Sequence, residues 1–183
     1  SFGYSNFGKA LEMQFRVVDE LVKEGKVCVK KLCDTGSWFK KQYDSTPATA
    51  FSAMDYWGRD DFKSIWYDSK KFRANLFCKN GKIWFRDINV FNDSYIERYY
   101  DNVETGHSAV YDAFPIVDGL VWSDDTVRAG LYFDKSGTIK SLKKSGDNLV
   151  AEIAFEDLST ASVVFSESGV EINNSCSLSF KYS

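Results

Sequence analysis

The sequence predicts a mainly β protein, an antiparallel β-sandwich that follows a short N-terminal helical segment. Beyond residue 44, apolar residues mostly alternate with polar ones, as on strands with one buried face. Turn sequences such as Asp134–Gly137 and Gly146–Asn148 separate many short stretches of this kind. Aromatic residues, which favour strands, make up 16% of the chain. We therefore place the helical lead-in at residues 1–44 and the β-sandwich domain at residues 45–183.

Two helices are predicted in the lead-in. Apolar residues recur at helical spacing from about Lys9 to Glu24, and Gly25 provides a C-terminal stop. Asp34-Thr35 predicts the cap of a second helix, which ends before Thr46-Pro47 and has Lys40-Lys41 in its last turn.

Two stretches beside these helices are less regular. Phe2 to Phe7 is aromatic and glycine-rich without a period, and we expect an arm or a frayed end there. Val27 and Val29 alternate with polar residues, which predicts a short strand between the helices.

From Thr49 onward the chain is predicted to consist of strands. The segment from Asn92 to Ser108 fits no period, and we expect a long loop there, either functional or a crossing between two sheets. The predicted strands are Thr49 to Tyr56, Ser64 to Asp68, Phe72 to Cys78, Ile83 to Phe91, Ala109 to Phe114, Gly119 to Trp122, Arg128 to Phe133, Thr138 to Lys143, Leu149 to Phe155, Ser162 to Phe165, Val170 to Ile172 and Ser177 to Tyr182.

One hairpin organises this part of the chain. Asn80-Gly81 lies between two strand-like runs, and a type I′ turn needs the positive φ angles that these two residues tolerate. The two-residue loop sets Cys78 opposite Ile83 and Asn75 opposite Arg86. Asp87 then falls on the core face, where an arginine or backbone donors must satisfy it. The predicted core face holds Ala74, Leu76, Cys78, Ile83 and Phe85, and the mixed face holds Arg73, Asn75, Phe77, Trp84, Arg86 and Ile88.

Charge and hydropathy exclude several classes of protein. The net charge is −3, and the basic residues are scattered along the chain, which argues against nucleic acid as a partner. No run approaches the ~20 apolar residues of a membrane helix, so a membrane is not an expected partner. The sequence starts at Ser1 without a methionine, and we expect a processed or excised piece of a larger protein.

No catalytic or metal constellation is evident. The single histidine, His107, follows no nucleophile motif, and neighbouring carboxylates such as Asp124-Asp125 point to opposite sides of an extended chain. The cysteines form no Cys-x-x-Cys pair, so a zinc site is not predicted. We therefore predict no catalytic residue, no metal and no cofactor. The cysteines are Cys28, Cys33, Cys78 and Cys176.

Tryptophans beside polar residues provide a candidate sugar-binding site. An indole flanked by Asp, Asn or Arg can stack on a sugar ring while the polar groups bind its hydroxyls. The same rings could instead pack between the two sheets. The candidate residues are Trp66, Trp84, Arg86, Asp87 and Trp122.

Three segments together resemble a known kind of region: residues 34–41 (DTGSWFKK), residues 66–76 (WYDSKKFRANL) with 85–88 (FRDI), and residues 114–123 (FPIVDGLVWS). Over most of residues 25–135 the chain resembles the C-terminal region of large bacterial proteins of the glycoside hydrolase or polysaccharide deacetylase type. The resemblance implies a catalytic (β/α) barrel upstream and a β-sandwich after it, with a galactose-mutarotase-like super-sandwich as one form. It also implies that the helix at Lys9 to Glu24 is a remnant of that barrel.

The resemblance implies a non-catalytic accessory module of a larger carbohydrate-active protein. Its expected partners are the upstream catalytic domain of the same chain, which it supports, and an oligosaccharide. Two alternatives stay open. A protein–protein interaction module would dock its partner through Phe2 to Phe7. A self-contained glycan hydrolase or lyase would bring its side chains together in one cleft, namely Asp87, Asp112 or His107 with Arg86 or Tyr111.

Overall fold

The computed structural model describes residues 4–54, 62–107, 114–173 and 176–182. By its contacts the chain divides into two units, Ser1–Asp44 and Ser45–Ser183. No helix in the described stretches is long and apolar enough to cross a membrane. The elements are α1 (Tyr4–Lys23), α2 (Leu32–Gln42), β1 (Thr49–Ala53), β2 (Phe62–Asp68), β3 (Phe72–Lys79), β4 (Lys82–Val90), β5 (Pro115–Asp118), β6 (Gly130–Phe133), β7 (Gly137–Ser145), β8 (Asn148–Phe155), β9 (Thr160–Ser166), β10 (Gly169–Asn173) and β11 (Leu178–Lys181).

Helix α1 begins earlier than predicted and ends as predicted. Residues 4–7 form its first turn rather than an arm, because Phe7 lies four residues before Leu11 and continues the helical spacing. At the other end Gly25 has a φ of +70°. The N–H groups of Gly25 and Lys26 donate to carbonyls of the last turn at 3.0 and 2.9 Å, which is the bonding of a Schellman motif.

Helix α2 differs from the prediction at its start. It begins at Leu32 after Lys31, so Asp34 lies in its first turn, where a carboxylate opposes the helix dipole, and does not cap it. The predicted pair Lys40-Lys41 does occupy the last turn. The strand predicted at Val27–Val29 is wrong, because the described residues of this unit hold no strand for it to pair with.

Helix α1 leaves apolar side chains exposed. Leu11, Phe15, Val18 and Val22, which share one face of the helix, are all exposed. The interaction module proposed from the sequence stays a prediction, and of its arm only residues 4–7 are described.

The second unit contains two antiparallel sheets. The seven-stranded sheet has the order β1-β2-β3-β4-β6-β11, with β5 also paired to β4, and the four-stranded sheet has the order β10-β9-β8-β7. The prediction of a mainly β, antiparallel sandwich with an N-terminal helical segment is confirmed.

The core of this unit lies between the two sheets. Alternate residues of most strands point into it, among them Ile65, Leu76 and Phe85 from the larger sheet and Ile153 and Phe165 from the smaller one. Burying such a side chain stabilises the fold by about 1.5–3 kcal/mol. The side chains that alternate with these core residues therefore point away from the core.

The segment after β5 was predicted as a strand over Gly119 to Trp122, and this is wrong. The strand is Pro115–Asp118, and a turn follows, in which Asp118 Oδ1 accepts from the N–H groups of Leu120 and Val121 at 3.1 and 2.8 Å. A carboxylate that binds its own downstream N–H groups competes with a strand ladder. Most of the strand predicted at Ala109 to Phe114 lies outside the described residues.

Candidate functional site

The face of the seven-stranded sheet that points away from the core is called here the outer face. Its residues alternate with the core residues on each strand, as the pairing register shows. The outer face comprises Phe51, Ser64, Trp66, Asp68, Arg73, Asn75, Phe77, Trp84, Arg86, Asp87, Asn89, Tyr132 and Lys181.

A β-bulge in β4 sets the composition of the outer face. The predicted register holds from the turn as far as Leu76 opposite Phe85, and then Asn75 pairs with Asp87, which leaves Arg86 as the extra residue. The prediction that Asp87 lies on the core face is therefore wrong. Because one inserted residue reverses the alternation, Ile88 packs against the core and Asp87 faces outward.

Asp87 is the centre of a polar cluster on this face. Arg73 donates to both of its carboxylate oxygens, from Nε at 2.9 Å and from Nη2 at 3.1 Å, and Asn89 Nδ2 lies 3.3 Å from each oxygen. An arginine thus satisfies this carboxylate, as expected. Asp68 lies opposite Arg73 on β2, and burial raises the pKa of its carboxyl, an effect that Arg73 opposes and Asp87 reinforces.

We expect the Asp68→Asn variant to be more stable than the wild type at neutral pH. Because the folded-state pKa of Asp68 is raised above its ordinary value of 3.8, ionising this carboxyl costs more in the folded protein than in the unfolded chain. The wild type therefore loses free energy of unfolding as the pH rises from 3.8 through the raised pKa of Asp68. The side-chain amide of the Asp68→Asn variant does not titrate, so the variant has no such loss. Urea unfolding from about pH 3.5 to 7.5 should therefore show an advantage that grows with pH. An advantage independent of pH would contradict this account.

Aromatic rings and a guanidinium form a continuous row beside the polar cluster. The guanidinium carbon of Arg86 lies 5.8 Å from the Trp66 ring centroid and 4.5 Å from that of Phe77. Phe77 meets Trp84 edge to face at 4.7 Å, and Trp84 stacks on Tyr132 at 5.1 Å. Burial lowers the pKa of Arg86, and Asp87 opposes that effect.

Four of the five candidate residues share the outer face. Trp66 is partly exposed, whereas Trp84 is only 7% exposed and its indole is stacked on Tyr132. Trp84 therefore supports the row and offers little ring surface to a ligand. Trp122 lies apart, in the turn after β5, with its ring 6.1 Å from that of Phe180.

The candidates chosen from the sequence did not include Phe51, Asp68 or Arg73, which the sheet places beside them, although Arg73 was predicted to lie on the mixed face of the hairpin. Phe51 is 68% exposed and is the direct cross-strand partner of Trp66. The only sequence signal for these residues was their alternation within predicted strands. It shows which residues share a face of one strand, and it leaves open which strands are neighbours.

The single-cleft arrangement required of a self-contained enzyme stays a prediction. Asp112 and Tyr111 lie outside the described residues, and His107 is exposed in the long segment after β4. Two other side chains were expected in that cleft. Arg86 contacts aromatic rings, and Asp87 accepts hydrogen bonds from Arg73.

The outer face can stack one ring and bind hydroxyl groups around it. Trp66 and Phe51 offer apolar ring surface, and the carboxylates, Arg73 and Asn89 supply acceptors and donors. The resemblance of residues 25–135 to carbohydrate-active proteins stays a prediction. Comparison of this chain with protein-family models, with curated proteins and with solved structures finds no match.

Proposed function

We propose that the chain is a non-catalytic accessory module of a larger carbohydrate-active protein, and that its β-sandwich binds glycan on the outer face while supporting the catalytic barrel. The observation that carries the proposal is the cross-strand pair of Phe51 and Trp66, two ring-bearing side chains at the solvent side of a sheet, next to a polar cluster. Single exposed apolar residues are ordinary, but paired rings beside a few ordered polar groups match the composition of ligand-binding sites. This ring pair is called here the proposed sugar platform.

The polar cluster supports the proposal because it is already ordered. Arg73, Asp87 and Asn89 hold one another by hydrogen bonds, so a sugar hydroxyl that binds there does not have to immobilise flexible side chains first. Burial raises the pKa of the Asp68 carboxyl, so that a donor to this carboxylate would favour its ionised form. A sugar hydroxyl would supply such a donor.

The Trp66→Ala variant should bind glycan at least about tenfold more weakly than the wild type, because it loses the stacking surface and keeps the fold. We would titrate a panel of neutral and acidic oligosaccharides into the full chain and measure binding by calorimetry and by tryptophan fluorescence. Trp38→Ala is the matched control, because Trp38 is an exposed tryptophan of α2 in the other unit. Binding that survives Trp66→Ala unchanged, or no binding to any glycan, would refute the proposed platform.

The absence of catalysis is tested on the same panel. We expect the chain to release no reducing ends and no acetate, since the carboxylate at the centre of the outer face is held in an ion pair by Arg73. Turnover that is lost in an Asp87→Asn variant would instead support the self-contained enzyme.

A further inference from the structure

A second feature of the outer face lies at the hairpin end of the sheet, and it is a basic pocket of about 330 Å³. Its cations are Lys79, Lys82, Arg128 and Lys181, and its apolar wall is Trp84 and Tyr132. This volume is at the small end of ligand pockets, which span about 300–1,000 Å³. The space therefore suits a single ring or one charged group rather than a length of extended chain.

The cations of this basic pocket have no ion-pair partner among the described residues, although the Asp124 carboxylate lies in the adjoining turn and accepts from the N–H groups of Thr126 and Val127. No carboxylate is among the described residues that line the pocket. Some lysines elsewhere do pair with carboxylates, as Lys135 does with Asp157 at 2.7 Å and Lys23 does with Asp19 at 2.5 Å. Because the whole chain carries a net charge of −3, a cluster of one sign here is a local arrangement and not a consequence of composition.

The pairing of β3 with β4 adds an unfavourable electrostatic free energy to this cluster of cations. Lys79 and Lys82 are direct cross-strand partners on either side of the Asn80-Gly81 turn, and like charges in that relation destabilise a sheet. Lys181 Nζ lies 4.4 Å from the ring centroid of Tyr132, which fixes a third ammonium over the wall of the pocket. An anion in the pocket would relieve the repulsion between these cations.

The indole of Trp84 belongs to this wall, but its Nε1 atom is itself buried within the sheet and is not open to the pocket. Trp84 is more than nine-tenths buried, and its indole Nε1 has no acceptor among the described residues. A buried donor left without an acceptor is uncommon in folded proteins. The Tyr132 hydroxyl, in contrast, donates to the Arg128 carbonyl at 2.9 Å and so ties the cationic segment to the wall.

The aromatic row joins this basic pocket to the proposed sugar platform. Trp66, Arg86, Phe77, Trp84 and Tyr132 follow one another across the sheet with separations of 4.5 to 5.8 Å. A glycan bound at Trp66 would therefore run toward the cations along a single face. At one end of this face the hydroxyl groups of the glycan would bind carboxylates. At the other end its negative groups would bind the ammonium groups of the lysines.

We propose that the basic pocket binds the carboxylate or sulfate group of an acidic sugar unit, so that the ligand of the outer face is an acidic polysaccharide. The inference rests on the proposed glycan-binding function and narrows it to one class of ligand. The pocket supplies charge neutralisation, and Trp66 supplies stacking. Affinity should therefore fall as salt rises, because exposed charge pairs are screened.

The test compares ligands and variants in the full chain. The ligands are a galacturonate oligosaccharide, a chondroitin sulfate oligosaccharide, a neutral cello-oligosaccharide and single-stranded DNA. The pocket variant is Lys82→Gln with Lys181→Gln, and the matched control is Lys140→Gln with Lys143→Gln, exposed lysines of β7 in the other sheet. All four lysines are exposed, so both variants should fold, which circular dichroism would verify.

We expect at least one acidic oligosaccharide to bind about tenfold or more tightly than the neutral one at low salt. The pocket variant should reduce that affinity to the neutral level, and the control should keep it. Equal binding of neutral and acidic glycans that Trp66→Ala abolishes would overturn the acidic assignment and leave the proposed function standing. No binding of any glycan would overturn both. Binding of DNA as tight as that of the acidic glycan, or equal losses in the pocket and control variants, would overturn the assignment to acidic sugar.

Discussion

The Phe85→Ala variant should lose about 3–5 kcal/mol of its free energy of unfolding. Phe85 is 1% exposed and lies on β4, the strand that pairs with three others. Its ring centroid lies 6.3 Å from that of Phe133 in the same sheet and 6.4 Å from that of Phe165 in the facing sheet. Removing the ring opens a cavity where the two sheets meet, and close-packed neighbours collapse into such a space only in part. Since domains are stable by about 5–15 kcal/mol, this loss brings the variant close to unfolding at room temperature.

The control for this loss is Phe51→Ala. Phe51 is also a strand phenylalanine of the larger sheet, but it is 68% exposed on the edge strand β1, so we expect a change in unfolding free energy within about 0.5 kcal/mol. Urea unfolding followed by circular dichroism measures both variants. Similar losses in the two would mean that Phe85 does not bridge the sheets.

The parts of the fold that were predicted correctly depend on local chemistry. Asn80 and Gly81 have φ angles of 51° and 73°, as a type I′ turn requires, and the register next to them follows from the loop length alone. Gly25 ended α1 for an equally local reason, since it adopts a left-handed conformation at little cost. Signals of this kind are contained within a few neighbouring residues.

The errors have causes that lie far away in the sequence. The bulge at Arg86 is held from the turn after β5, because the N–H of Gly119 donates to the Arg86 carbonyl at 2.7 Å. A Cβ on Gly119 would lie 2.5 Å from that carbonyl oxygen, so only glycine permits this close approach. No pattern within residues 82–90 reports such a contact. Its consequence, Asp87 on the outer face instead of in the core, could not be predicted from the alternation.

The sequence predicted which types of residue form the candidate site, but it did not predict how the sheet arranges them. Trp66 and Arg86 were recognised as residue types that bind sugars, and both lie on one face. Their neighbour Phe51 comes from a strand whose position in the sheet no local pattern gives. Trp122 shows the opposite failure, since the turn begun by Asp118 removes it from the sheet. Residue type thus predicts chemistry, and the order of strands decides which side chains meet.

The Asn75→Asp variant should be destabilised by about 3 kcal/mol or more at neutral pH. Asn75 is fully buried, at 0% exposure, between Trp66 and Asp87 in the register. Its Nδ2 donates to Ser64 Oγ and to the Ile65 carbonyl, both at 3.0 Å, and so fastens β3 to β2 beneath the proposed platform. The substitution replaces that donor with a second carboxylate oxygen facing the Ile65 carbonyl. The result is a buried charge with no cation assigned to it.

The loss should depend on pH with a definite sign. Burial disfavours the ionised form, so the pKa of the new carboxyl in the folded state must exceed its value of about 3.9 in the unfolded chain. Stability is then greatest below that value, where a protonated carboxyl can donate to the Ile65 carbonyl, and it is lost as the pH rises through the folded-state pKa. Asn148→Asp, at an exposed position of β8, is the control and should show no such loss. Urea unfolding at about pH 4 and pH 7 measures both variants, and a loss that is equal at the two values would show that Asn75 is not a buried donor.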